Sequence, residues 1–130
     1  MDIVITEWAL NSYLELKHSK VFSPEEYWEV IRPDTLLLAN YPVEPKFGIQ
    51  KFWSPAEDRL GVIRGGFKMK WHQVGSGAVQ LRLPVGIDGN AFLCEAYVKD
   101  SKSEPRRLHK FRFHLERIRE GNFSARGRLT

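Results

Sequence analysis

The chain has 130 residues, 42% apolar and 28% charged, with a net charge of +4; this suits one soluble domain around one core and leaves no room for two ordinary domains. No run of about 18 apolar residues and no amino-terminal signal pattern occurs, which argues against a membrane span and against export. The only cysteine, Cys94, excludes an internal disulfide, and no cysteine/histidine spacing suits zinc, so a cytoplasmic domain without metal or cofactor is expected.

The charge is polarised. Residues 1–63 hold 6 Lys/Arg against 10 Asp/Glu, whereas residues 64–130 hold 14 against 6. A basic half of this kind fits a polyanion, because each cation near a phosphate releases a condensed counterion.

In chain order, "MDIVIT" predicts a short strand with Ile3 and Ile5 on one parity. "EWALNSYLELKHSK" predicts a helix, with Trp8, Leu10, Tyr13 and Leu14 at helical spacing. Ser23, Pro24 and Glu26 form a capping box with proline at the first helical position, and Phe22 can staple the start. Pro33 disfavours helical geometry at Arg32, which predicts one helix ending near Ile31 and another through "TLLLAN" ending before Pro42. Residues 42–58 contain Pro42, Pro45 and Pro55 and read as an irregular connection with a short strand at 50–53.

Three strand-like runs follow: "LGVIRGGFKMKWHQV", "GAVQLRLPVGI" and "NAFLCEAYVKD". "GSG" and "DGN" between them have hairpin-turn chemistry, giving an antiparallel meander. "SEPRRLHKFRFHLERIREG" predicts a closing helix with Leu108, Phe111, Leu115 and Ile118 as its apolar stripe and Gly121 as its stop. The tail "SARGRLT" reads as flexible. The expected fold is a single α+β domain over residues 1–130, with three meander strands, an amino-terminal strand, two or three amino-terminal helices and a carboxy-terminal helix, the helices on one sheet face.

Strand parity separates two sets. Phe67, Met69, Trp71, Val79, Leu81, Leu83, Val85, Phe92, Cys94, Ala96 and Val98 form the apolar one. The opposite face gathers Lys68, Lys70, His72, Gln80, Arg82, Leu93, Glu95, Tyr97 and Lys99. No glycosidase-like carboxylate pair, GxSxG or glycine-rich phosphate loop is present. Lysines, an arginine, a histidine and a tyrosine instead suit metal-free phosphodiester chemistry, in which the 2′-hydroxyl of RNA attacks the adjacent phosphate. Such a site must hold the oxygens in line, move two protons and stabilise the phosphorane charge. Crowded cations lower one another's pKa, which makes a lysine a usable base.

"FKMKW", "GAVQLRLPVGI" and "AFLCEAYVKDSKSEPRRLHKF" together resemble the RelE/ParE superfamily of bacterial toxins from type II toxin–antitoxin systems, with the residue-level match over roughly residues 67–111. The first is similar to the lysine-bearing strand of RelE-type mRNA interferases, the others to the HigB branch. The resemblance implies ribosome-dependent mRNA cleavage in the cytoplasm and a cognate antitoxin in a hetero-oligomer. It implies catalytic roles for Lys68, Lys70, Arg82, Tyr97 and Lys99, with His72 as a further acid–base candidate. Lys102, Arg106, Arg107 and Lys110 are the expected contacts to ribosomal RNA. The sequence departs from the pattern at Asp100, where a second lysine is usual, and in "PVGIDGN", which lacks a second arginine. Two other readings stand beside this one: a non-enzymatic ParE-like poison of DNA gyrase, and a basic RNA-binding module using the helix at 106–119.

Overall fold

The computed structural model describes residues 1–130. Seven strands form one mixed sheet: β1 (Ile3–Thr6), β2 (Trp53–Asp58), β3 (Gly61–Val74), β4 (Val79–Asp88), β5 (Asn90–Leu93), β6 (Tyr97–Val98) and β7 (Ala125–Arg128). The spatial order is β2-β3-β4-β5-β1-β7, with β6 also paired to β4. The meander is antiparallel as expected, while β1 lies parallel to β5. Two strands differ from expectation. The connection at 42–58 ends in the six-residue β2, whose Pro55 is tolerated because β2 is an edge. The tail forms β7 against β1.

The helices are α1 (Glu7–His18), α2 (Pro24–Glu26), α3 (Arg32–Leu36) and α4 (Glu104–Arg119). Thr6 caps α1 by accepting from the Ala9 N–H, while its hydroxyl donates to the Leu93 carbonyl at 2.6 Å. The capping box at Ser23 forms as read, with bonds of 2.8 and 3.0 Å to Glu26. Pro33 does not break the chain here: residues 24–40 stay helical, through a π turn at Tyr27–Ile31, α3 and a 3-10 turn at Leu37–Asn40. The π turn widens the backbone just before the proline, easing the contact its ring makes with the preceding turn.

The expectation of helices on one face is corrected: they cover both. α1 and residues 24–40 lie on the face carrying Met69, Trp71, Leu81, Leu83 and Val85, which form the larger core with Leu38 and Trp53. α4 packs on the other face through Leu108, Phe111, Leu115 and Ile118 over Ala56, Ile63 and Cys94. Its seat is a pair of cross-strand glycines, Gly66 and Gly86. A Cβ on Gly66 would stand 2.8 Å from the Phe111 ring, and one on Gly86 2.5 Å from a Leu115 methyl. A side chain at either would hold the helix off the sheet.

The pairing registers hold two irregularities that decide the geometry of the second face. Val85 pairs Leu93 and Arg82 pairs Tyr97, so three steps on β4 meet four on its partner. The extra residue reverses parity. Ala91 and Leu93 therefore enter the larger core, Phe92 and Cys94 go under α4, and Tyr97 still emerges beside Arg82. The expected placement of Leu93 with the polar set, and of Phe92 and Cys94 with the apolar set, is thereby reversed. On β3, Trp71 pairs Leu81 and Val74 pairs Val79, leaving an extra residue at 72–73.

Candidate cationic site on the second sheet face

Lys70, Arg82 and Tyr97 make a row across three strands: Lys70 opposite Arg82 on β4, and Arg82 opposite Tyr97 on β6. Lys68 lies two residues along β3, opposite Pro84, and Lys99 follows β6 with its N–H bonded to the Gln80 carbonyl. The row therefore lies where α4 leaves the sheet. Gly66 and Gly86 are covered by the helix, whereas Lys68 and Lys70 are only partly buried and Lys99 is exposed.

Arg82 is only 3% exposed. Its guanidinium donates to the Gln80 side-chain oxygen at 2.8 Å and to the Leu81 and Trp71 carbonyls at 3.2 and 3.4 Å. Those bonds supply the partners a buried arginine requires. Tyr97 is 1% exposed, and its hydroxyl donates to Glu104 Oε2 at 2.7 Å. Burial, then Glu104, hold its proton far more tightly than in an ordinary tyrosine. Neither Arg82 nor Tyr97, both expected to contact substrate, exposes surface on this face. Arg82 acts as a fixed buried charge, and Tyr97 joins the sheet to the start of α4.

The lysines carry what the face presents. Lys70 has its pKa lowered, first by burial, then by Lys68, Arg82 and Lys99, with Glu104 opposing. Both named causes disfavour the ammonium. Lys70 makes no side-chain hydrogen bond or ion pair, so its charge is offered outward.

His72 leaves the row. Strand alternation would place it beside Lys70, but it falls in the extra-residue step of β3, and its Nε2 sits 2.6 Å from the Lys51 carbonyl. There it borders an edge cleft that also touches Lys46, Lys51 and Lys70.

The expected RNA contacts on α4 and the turn before it divide. Arg107 and Lys110 are bound by Glu95 at 2.9 and 3.0 Å, and Arg107 also lies over the Tyr97 ring. Lys102 and Arg106 are exposed and unpaired. Elsewhere on α4, Arg112 holds Asp58 through bonds of 2.7 Å, keeping that carboxyl well below the usual carboxylate range. His114 is buried and stacked on Trp8 with centroids 4.0 Å apart.

Sequence reasoning missed Glu104 and Gln80 as partners within the site. "SEP" advertised a helix start, but nothing in it showed that its glutamate would accept from the Tyr97 hydroxyl. Lys46 and Lys51 were missed because the proline-rich connection gives no pattern from which to place them.

What the arrangement offers chemically is three outward lysines over a buried arginine, beside one carboxylate tied to a tyrosine. That combination has the chemistry suited to phosphate oxygens and contains one amine whose proton is loosened. No family model, no curated protein and no solved structure matches this chain.

Proposed function

We propose that the chain is a toxin of the RelE/ParE type, cutting mRNA on the ribosome without metal through the cationic face of its sheet and held inactive by a partner antitoxin. The observation that carries this reading is the Lys70–Arg82–Tyr97 row, flanked by Lys68 and Lys99. Lys68 and Lys99 bind the phosphate on either side of the scissile bond, and the buried Arg82 adds positive potential from below. Lys70, whose ammonium gives up its proton more readily than a free lysine's because of burial and its cationic neighbours, accepts in its neutral form the proton of the 2′-hydroxyl. The 2′-oxygen bonds to phosphorus as the P–O5′ bond breaks and the leaving 5′-oxygen takes up a proton from water, leaving a cyclic phosphate and a 5′-hydroxyl. Lys102 and Arg106 hold the flanking RNA backbone.

The burial of Arg82 and Tyr97 favours a second reading, a module that binds RNA without cutting it, because two of the groups expected to act on the phosphate face inward. Expression of the chain in growing cells separates the readings. Loss of intact mRNA with cleavage inside coding sequence supports the toxin. Harmless expression supports the binding module, and DNA damage with intact mRNA points to a gyrase poison.

A further inference from the structure

On the opposite side of the sheet from the lysines, the layer of α1 and residues 24–35 does not close fully onto the strands. A cavity of about 280 Å³ remains, and 15 of its 17 lining residues are hydrophobic. Its floor is Trp71, Leu81, Leu83 and Leu93. One wall is α1, at Ala9 and Tyr13; the other is the π turn and its flanks, at Phe22, Trp28 and Ile31. Interiors are normally packed to crystal density, so a void of this size is a loss of packing that an occupant would restore.

The mouth has a chemical sign. Trp28 is 62% exposed there, with the Arg32 guanidinium 5.0 Å from its ring centre. Arg32 donates to the main-chain oxygen of Thr130 and keeps further N–H donors for another acceptor. In the adjoining cleft, Lys17 lies over the Tyr13 ring at 5.9 Å and Lys20 lines the same cleft. The only carboxylate in that cleft, Glu26, is already bound to the Ser23 and Gly75 N–H groups. Arg32 is thus the one charged residue lining the cavity, the adjoining cleft adds Lys17 and Lys20, and the interior is apolar.

From this geometry we infer that the cavity is a binding site for a small amphiphilic anion, an aromatic or aliphatic carboxylate whose body lies on Trp71 and Leu83 and whose head meets Arg32. An apolar cavity of about 150 Å³ admits benzene, so one near twice that size takes a body of roughly eight to twelve carbons. A few polar groups at the rim of an apolar pocket fix orientation and specificity. The site is independent of the RNA-cutting role, since its residues lie on the other face of the sheet.

The test is titration of the full chain with octanoate and, separately, with 1-octanol, read by tryptophan fluorescence and by calorimetry. Octanoate is expected to bind saturably at one site. Arg32→Met should weaken octanoate roughly tenfold and leave octanol nearly unchanged, because only the charged head loses a partner. Ala9→Leu, which fills the cavity from α1, should abolish binding of both with an undiminished unfolding midpoint. If Ala9→Leu does not fold, Ala96→Leu fills the same space from the strand side, beside Ser12 of α1. Absence of saturable octanoate binding overturns the inference, as does unchanged binding in a folded filled variant. Equal effects of Arg32→Met on octanoate and octanol overturn the assignment of an anionic head.

Discussion

Lys70 and Arg82 face each other across β3 and β4, and neither has a carboxylate within ion-pair distance. Two unpaired cations side by side on a sheet disfavour folding, and the arrangement is retained at the cost of stability. Lys70 has a lowered pKa in the fold. The unfolded chain therefore binds more protons between the folded and unfolded values, and stability rises with pH across that interval. At neutral pH the charged form weakens the fold. Lys70→Met should raise the melting temperature at pH 7 by a few degrees, more in low salt than in 0.5 M salt, as calorimetry would read. A fall in melting temperature would mean that Lys70 has a compensating partner.

Tyr97 and Glu104 make the one bond joining the row to α4. Tyr97→Phe keeps the ring and removes the hydroxyl, and should cost about 1.5–3 kcal/mol in urea unfolding, the range for a hydrogen bond to a charged group. Arg82 and Lys70 then feel a less restrained Glu104, so RNA affinity should fall modestly while the fold persists.

The seat of α4 predicts a packing defect. Gly86→Ala places a methyl against the fully buried Leu115, and the helix must shift or Leu115 must leave its rotamer, at about 1–3 kcal/mol. Gly48→Ala, whose Cβ meets nothing within 4 Å and whose backbone does not need glycine, adds no such clash and serves as the control for helix displacement, read by the Trp8 fluorescence that reports on α4 through His114.

Burial lowers the His114 pKa from 6.5 to about 4, with Lys110 and Arg117 adding to the shift and Glu95 and Glu7 opposing it. The folded chain keeps this ring neutral while the unfolded chain protonates it. Stability should therefore fall as pH drops from about 6.5 towards about 4, and level off below. His114→Phe preserves a stack on Trp8 and should flatten that part of the profile in chemical denaturation.

Much of this was legible in the sequence where a single rule governed. Ser23 and Glu26 form their box because capping is local, and Leu108, Phe111, Leu115 and Ile118 are all buried because a helix stripe needs one partner surface. What was not legible depended on register. Each of the two extra-residue steps shifts parity with no turn residue to announce it; one withdraws His72 to the sheet edge and the other sends Leu93 inward. β7 is exposed throughout, so no apolar alternation marked it. Gly66 and Gly86 carried the signal for α4 on the second face, but a glycine in a strand reads equally as a bulge or as a close approach.

The most direct test of the account is cleavage of a defined mRNA by the purified chain with translating ribosomes, comparing wild type, Lys70→Ala and Arg106→Ala. The account predicts cleavage by wild type, a loss of about 10²-fold or more in single-turnover rate for Lys70→Ala, and a smaller loss for Arg106→Ala that added salt reproduces in wild type. Cleavage by Lys70→Ala at the wild-type rate, or no ribosome-dependent cleavage by wild type, would contradict it.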